Sequence, residues 1–405
     1  MTEQTLGLYF HIPFCQSKCP YCDFYSAPTS SFSELGSSGP DLTARYTDAL
    51  LLHMEDYAKS AAGYEVDTVF FGGGTPTVLP SSRLLSLLDG MNDFYNVRSD
   101  AEITLEANPA TVSTSELRRL RRAGVNRLSM GLQSADDGEL KALGRIHSFS
   151  DFVESFRAAR KAGFSNISVD LMYGIPGQTR ESFRETLSRV IDLDPEHISV
   201  YGLKIEEGTP FAARRDSLSL PDEDAEYEMY LEAVDTLSEN GWAQYEISNF
   251  SKPGKQCLHN LRYWNCEPYL GFGPGAHSYF GGRRFAFRRD LGAYLLAMEY
   301  PDRAENLLSE NYEIKPSERL GEYVMLRLRL TEGVDTDAFA ARFGVSFERM
   351  FERYLPIYLK NGFMVHNGRS YAFTPKGMFV SNYILSAMLD FDSDIIRGVA
   401  DGSDR

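Results

Sequence analysis

Hydrophobic and polar positions alternate in two different periods over residues 1–205. Short β-branched or aromatic runs read as strands at Leu6–Ile12, Asp67–Phe71, Glu102–Leu105, Arg127–Met130, Ile167–Leu171 and Ile198–Leu203. Between them lie amphipathic stretches with helical spacing: Leu42–Lys59, Ser82–Met91, Ser115–Ala123, Phe152–Ala162 and Glu181–Ile191, with a shorter piece at Asp136–Leu143. Strands that alternate with helices predict parallel pairing through helical crossovers, because parallel neighbours need a long connection. Six βα units result. An open doubly wound sheet and a partial barrel both satisfy the pattern, and periodicity does not choose between them.

Beyond residue 205 the pattern changes. Residues 222–240 read as an acidic amphipathic helix, and 241–290 are rich in Gly, aromatics and Arg with little periodicity. Glu318–Arg329, Asp335–Phe343 and Phe347–Asn361 read as three helices. Met364–His366 and Tyr371–Thr374 flank Asn367-Gly368, a hairpin signal, so helices followed by a hairpin suggest a winged-helix-like module. Ser26–Pro40 is rich in Ser, Pro and Gly and reads as a loop; the polar tail Asp390–Arg405 reads as frayed. The expected organisation is an α/β body at 1–215, a connecting extension at 216–299, a C-terminal domain at 300–390 and a tail at 391–405.

Composition narrows the class. Apolar residues make up 43% of the 405 and charged residues 24%, as in ordinary globular chains. Formal charge is −16, from 41 basic and 57 acidic residues. That excess argues against nucleic acid as a partner, because phosphate is neutralised by basic patches. No apolar run approaches the roughly 18–20 residues that span a bilayer. MTEQTLGLYF has no basic stretch ahead of an apolar one, so no secretory signal is expected and the cytoplasm is the expected location.

The five cysteines are unevenly placed: Cys15, Cys19 and Cys22 crowd together, while Cys257 and Cys266 lie far downstream. An odd count so distributed is a metal site rather than a disulfide framework. Spacing C-x3-C-x2-C lets three thiolates hold three corners of a cubane, which leaves one iron open to a chelating small molecule. A zinc site is the alternative and needs a fourth ligand, which His11 could supply; His11, however, precedes Pro13 within a predicted strand. Further motifs follow strands: Gly72-Gly73-Gly74-Thr75-Pro76 the second, Glu106-Ala-Asn108-Pro109 the third, Gln133 the fourth. Chemistry collects at the C-terminal ends of strands in parallel α/β folds, so these motifs are expected to share one site. The alternatives are a tight βα turn for the glycines, a helix-start charge for Glu106 and, taken singly, an ordinary surface position for each of Gln133, Arg145 and Asp170.

The string YFHIPFC…KCPYCDF, with FGGGTP at 71–76, LEANP at 105–109, SMGLQS at 129–134, LGRIH at 143–147, SVDLMYGIPGQT at 168–179 and YGLKIEEGTP at 201–210, resembles the radical SAM superfamily and, within it, the HemN/HemW group. The resemblance spans most of residues 6–290, and the C-terminal part is similar to that group's C-terminal domain. It implies a partial (β/α)6 barrel with a mainly helical, winged-helix-like C-terminal domain. It also implies a [4Fe–4S] cluster on Cys15, Cys19 and Cys22, with S-adenosylmethionine (SAM) on the open iron, whose sulfonium the reduced cluster would cleave to a 5′-deoxyadenosyl radical. Tyr9, Tyr21, Gly73, Gly74, Thr75, Glu106, Gln133, Arg145 and Asp170 match the SAM pocket, Arg145 offering a fork of donors suited to a carboxylate. His277, in GFGPGAHS, would face the same cavity or be a core histidine.

Two features point to HemW rather than the coproporphyrinogen oxidase, HemN. The oxidase carries a further cysteine two residues after the third cluster cysteine, where this chain has Phe24, and a longer N-terminal arm. In addition, His259-Asn260-Leu-Arg-Tyr263-Trp264 matches the HNxxYW signature of HemW. The resemblance therefore implies a haem chaperone that passes haem, as cargo, to acceptor proteins such as respiratory enzymes, and it leaves a homodimer open. His259 is the candidate haem ligand, with Cys257 as an alternative thiolate; Tyr263 and Trp264 would stack on the porphyrin or simply pack, and the Arg pairs 283–284 and 288–289 would meet propionates or solvent. The alternative function is SAM-dependent oxidative decarboxylation of coproporphyrinogen III. No residue is singled out as catalytic, and whether the chain is an enzyme stays open. A winged-helix nucleic-acid binder is a third reading, which the charge disfavours.

Overall fold

The computed structural model describes residues 4–35, 40–109, 111–300 and 303–389. The chain divides into two compact units, one built from residues 1–226 with 268–312, the other from 227–267 with 313–405. The stretch 216–299 is thus shared between them. No helix among the described residues is long and apolar enough to cross a membrane.

The first unit is built on six parallel strands paired in chain order: β1 (Gln4–Ile12), β2 (Tyr64–Gly73), β3 (Asn96–Ala107), β4 (Arg127–Gln133), β5 (Ile167–Tyr173) and β6 (His197–Gly202). Their crossovers carry helices α1 (Pro40–Ala61), α2 (Ser81–Phe94), α3 (Thr114–Arg122), α4 (Asp137–Ala142), α5 (Phe149–Ala162) and α6 (Arg180–Ile191). β4 shows why the expected runs are near-continuously apolar: six of its seven residues are buried, as in a parallel strand covered on both faces. Helix starts are set by local chemistry. Ser113 with Glu116, Ser148 with Asp151 and Thr179 with Ser182 form reciprocal capping boxes that satisfy orphan amides of α3, α5 and α6.

β1 is not an edge. Its other side is taken by β7 (Tyr269–Phe272), also parallel, with Leu8 opposite Leu270. β8 (His277–Phe280), β9 (Arg283–Phe287) and β10 (Leu308–Glu313) extend the sheet from there. The first strand is therefore flanked by β2 and β7, not by β6, and the six-strand wall stays open, as a partial barrel requires. Phe10 lies between Phe71 and Phe272, at ring-centroid distances of 4.5 and 5.2 Å.

Four expectations change. Residues 241–290, read as lacking periodicity, contain β7, β8 and β9, which are too short and too glycine-punctuated to show a period. The loop at 26–40 contains 3-10 turns at Thr29–Leu35, broken at Phe32, whose ring meets Phe14 edge-on at 6.0 Å; residues 36–39 lie outside the described residues. The single helix expected at 347–361 is two, Phe347–Met350 and Leu355–Lys360, because Pro356 lacks the amide that a continuous helix needs and instead occupies the first turn of a new one. The hairpin forms between Met364–Asn367 and Ser370–Phe373, but its two-residue loop is Gly368-Arg369, with positive φ at Gly368 only, a type II′ pattern. The tail from residue 390 lies outside the described residues. In the second unit, helices Pro316–Arg327 and Thr336–Phe343 precede this hairpin, and Val334–Asp335 adds a third short strand to it.

Candidate functional site

The three clustered thiols sit on one loop at the C-terminal end of β1. Phe14–Cys15 pairs in parallel with Ala27–Pro28 and closes the loop at its base, while the Cys22 amide donates to the Cys19 carbonyl at 3.1 Å. All three cysteines are half-buried and unbridged. Burial pushes the Cys22 thiol up, offset in part by the Phe24 amide and by Lys18. The Lys18 ammonium donates to the Phe24 carbonyl and lies 3.5 Å from the Ser26 hydroxyl.

His11 is committed elsewhere. Its Nε2 lies 2.8 Å from the Tyr25 carbonyl, which can only accept, so Nε2 carries the proton and Nδ1 accepts from the Tyr9 hydroxyl at 3.0 Å. Burial lowers its pKa to about 4, keeping the ring neutral. A zinc site would have to displace at least one of these partners to recruit it. Among the described residues, moreover, no three His, Cys, Asp or Glu side chains converge to hold a single metal ion. A cubane, which spreads its thiolates over separate irons, needs no such convergence.

The glycine segment is pressed against this loop. Gly73 has φ +107°, and a Cβ there would lie 2.7 Å from the His11 ring; one on Gly74 would lie 2.6 Å from the Phe14 carbonyl. The chain's own packing thus requires these glycines. Their amides are spent as well: Gly73 N–H donates to Glu106 at 3.2 Å, Gly74 N–H to Ile12 O at 2.7 Å, and Thr75 N–H to Phe14 O at 2.7 Å.

Glu106 at the end of β3 and Asp170 on β5 face one another across β4. Burial, then the Asp170 charge, raises the Glu106 carboxyl to about 8. Burial also raises Asp170, opposed by the hydroxyls of Ser199, Ser129 and Ser168 and by the Arg127 guanidinium; the Ser129 hydroxyl lies 3.1 Å from both Asp170 oxygens. Gln133 has φ +74° beside a register shift in the β4–β5 pairing, a costly conformation for a residue with a side chain. Tyr9 stacks on Phe70 at 6.3 Å, and Tyr21 packs on Phe211 against Leu143, Met172 and Ile175.

Arg145 ties the site together. One terminal nitrogen lies 3.7 Å from Cys19 Sγ, and the other donates to Asn108 Oδ1 and the Gly131 carbonyl, both at 2.8 Å. Asn108 Nδ2 donates to Thr75 Oγ1 at 2.7 Å, and that hydroxyl lies 3.7 Å from Cys15 Sγ. Arg145 Nε is buried without a partner. Of the sequence-identified residues, the structure brings together Cys15, Cys19, Cys22, Tyr9, Tyr21, Gly73, Gly74, Thr75, Glu106, Gln133, Arg145 and Asp170 around this strand-end region. Sequence reasoning missed Asn108 and Arg127. Asn108 lay inside a motif already noted; Arg127 is a charged residue opening an almost wholly buried strand and is only 2% exposed.

These residues fit the groups expected of them. Three thiols on one loop, with the neighbouring His11 engaged by Tyr9 and Tyr25, suit a cluster with an open iron, and the unpartnered Nε–H of Arg145 with the acidic pair Glu106/Asp170 suits a ligand bearing both a carboxylate and positive charge. Residues 9–190 match the radical SAM superfamily, and residues 314–380 match the HemN C-terminal domain. The chain is 37% identical to the haem chaperone HemW of Bacillus subtilis, over 94% of this chain and 98% of that one. It is 35% identical to HemW of Escherichia coli, over 95% and 98%.

The chain belongs to the HemW family of radical SAM proteins.

Membership of the radical SAM superfamily implies a [4Fe–4S] cluster and SAM. The fold is also that of the E. coli coproporphyrinogen III oxidase HemN, described as a radical SAM enzyme, with a TM-score of 0.81 at 25% identity over 96% of this chain and 91% of that one. The HemW signature HNxxYW falls on helix Leu258–Trp264 of the second unit. His259 is 1% exposed, and its Nε2 lies 2.8 Å from the Tyr263 hydroxyl, with the rings edge-on at 5.0 Å. Cys257 is fully buried. His277, expected at the cavity or in the core, is exposed at the start of β8, near enough to His11 to lower its proton affinity. Arg283 donates to Asn311 at 2.9 Å, Arg284 lies over the Tyr279 ring, and Arg288 and Arg289 are exposed.

Proposed function

We propose that this HemW-family chain is a haem chaperone that binds haem and delivers it to acceptor proteins, respiratory enzymes among them, from the cytoplasm. In this reading Cys15, Cys19 and Cys22 hold a [4Fe–4S] cluster and SAM occupies the open iron. The carrying observation is Phe24, together with HNxxYW: the chain lacks the oxidase's further cysteine and has the chaperone's motif, in agreement with near-full-length relatives that are named haem chaperones.

Each residue then has a task that its own geometry supports. Arg145 directs its remaining N–H to the SAM carboxylate. Glu106 and Asp170 accept from the ammonium or ribose hydroxyls. The Gly73–Thr75 segment, whose amides are spent, offers acceptor carbonyls, which suit a cation. Tyr9 and Tyr21 wall the adenine side, and Gln133 is held towards the pocket by its left-handed backbone. When bound, the cluster supplies a single low-potential electron to the sulfonium.

The haem ligand is His259 in this reading, and its bond to Tyr263 gives a test. Tyr263→Phe takes away the hydroxyl that engages Nε2 and is expected to raise haem affinity, while His259→Ala removes the axial ligand and is expected to shift the Soret band of bound haem. If His259 is only a packing residue, both variants lower stability and neither moves the haem spectrum.

The overall reading is tested by anaerobic reconstitution followed by SAM, reductant and coproporphyrinogen III. Stable haem binding without conversion of the porphyrinogen is expected. Protoporphyrinogen formation would establish the oxidase instead. Loss of the brown chromophore in Cys15→Ala, Cys19→Ala and Cys22→Ala is the accompanying expectation.

A further inference from the structure

The polar chain that runs from Cys15 to Cys19 has a fixed direction. Arg145 can only donate, so the Asn108 oxygen must face it and accept at 2.8 Å. The amide nitrogen of Asn108 therefore faces Thr75 and donates to its Oγ1 at 2.7 Å. Having accepted there, the Thr75 hydroxyl has its hydrogen left to give, and Cys15 Sγ stands at 3.7 Å. At the other end, Arg145 reaches Cys19 Sγ at 3.7 Å. One side-chain amide thus determines that both sulfurs are approached by donors.

We infer that Asn108 is a positioning residue for the cluster: it orients the Thr75 O–H towards Cys15 and the Arg145 guanidinium towards Cys19, and so sets the cluster's reduction potential. Hydrogen bonds to cluster sulfurs are one of the protein's levers on that potential, raising it by stabilising the more negative reduced state. The inference rests on the reading of Cys15, Cys19 and Cys22 as cluster ligands. Asn108 touches neither SAM nor iron in it.

Asn108→Asp is the informative variant because it is nearly isosteric. A carboxylate still accepts from Arg145, now as an ion pair, but it accepts from Thr75 as well. The Thr75 hydrogen is thereby drawn away from Cys15. Added negative charge also lowers the potential, so Thr75→Val is needed as a second background: with no hydroxyl to redirect, only the charge effect remains.

The experiment is a potentiometric titration, followed by electron paramagnetic resonance, of full-length protein reconstituted anaerobically without SAM, for wild type, Asn108→Asp, Thr75→Val and the double variant. The expected result is full iron and sulfide in all four and a lower midpoint potential in Asn108→Asp. That shift should be larger in the Thr75 background than in the Val background by at least about threefold in the one-electron equilibrium, roughly 28 mV on a scale of about 59 mV per tenfold. Equal shifts in the two backgrounds would overturn the inference while leaving the cluster reading intact. Wild-type protein that takes up no iron would overturn the cluster reading itself.

Discussion

At the scale of single residues, the clearest consequence lies at Glu106. Its carboxyl is raised to about 8 in the folded chain, first by burial and then by Asp170, against about 4.3 when unfolded. The folded state binds this proton more tightly than the unfolded state does. Its contribution to stability is therefore present below about pH 4 and is lost as pH rises towards about 8. The ligand-free protein should lose stability progressively from about pH 5 to about 8, by up to about 1.4 kcal/mol per pH unit, seen as a falling melting temperature, and Glu106→Gln should flatten that slope. An unchanged slope in the variant would place the titrating group elsewhere. Glu106 and the three cysteines were legible in sequence because each sits in a motif at a strand end. Asn108 was visible in the same string, but its role depends on Thr75 and Arg145, which approach it from distant parts of the chain, and no spacing rule encodes that meeting. His11 shows the reverse: its sequence position allowed a metal-ligand reading, while in space both its nitrogens are bonded.

At the scale of elements, caps and close approaches decide what the helices tolerate. Ser148→Ala removes the oxygen that accepts the Asp151 amide at 3.2 Å and should cost about 1 kcal/mol, read from the denaturant midpoint. Gly377→Ala is a sharper test because two effects oppose. Alanine favours a helix over glycine by up to about 1 kcal/mol, but a Cβ at Gly377, in helix Pro375–Phe379, would stand 1.9 Å from the Phe363 carbonyl. Backbone there cannot yield as a side-chain tip would, so the clash should win and the variant should lose about 1–3 kcal/mol; a gain in stability would refute this. The six parallel strands and their helices could be read from periodicity because they are long and buried on both faces. β7 could not: its four residues lie in a central position with three buried, so neither alternation nor a long apolar run announces it.

The whole molecule hides its division from a linear reading. The boundary after residue 226 falls inside the helix Glu223–Glu239, with no Pro- or Gly-rich linker to mark it. The net charge of −16 applies to the chain as a whole; at moderate salt, binding to duplex DNA should be undetectable in a gel-shift assay, and a salt-sensitive complex would revive the winged-helix alternative. The insertion of β7 beside β1 has a further outcome during synthesis. Ile12 leaves the ribosome 257 residues ahead of Tyr269, and at about 5–20 residues per second the nascent strand that carries the cysteine loop waits roughly 13–50 s for its second neighbour. A chain arrested at residue 226 leaves that strand with a raw edge, so it should accumulate as aggregate without iron even where the full chain is loaded. The sheet around the cysteine loop is accordingly completed only once a strand encoded far downstream has emerged.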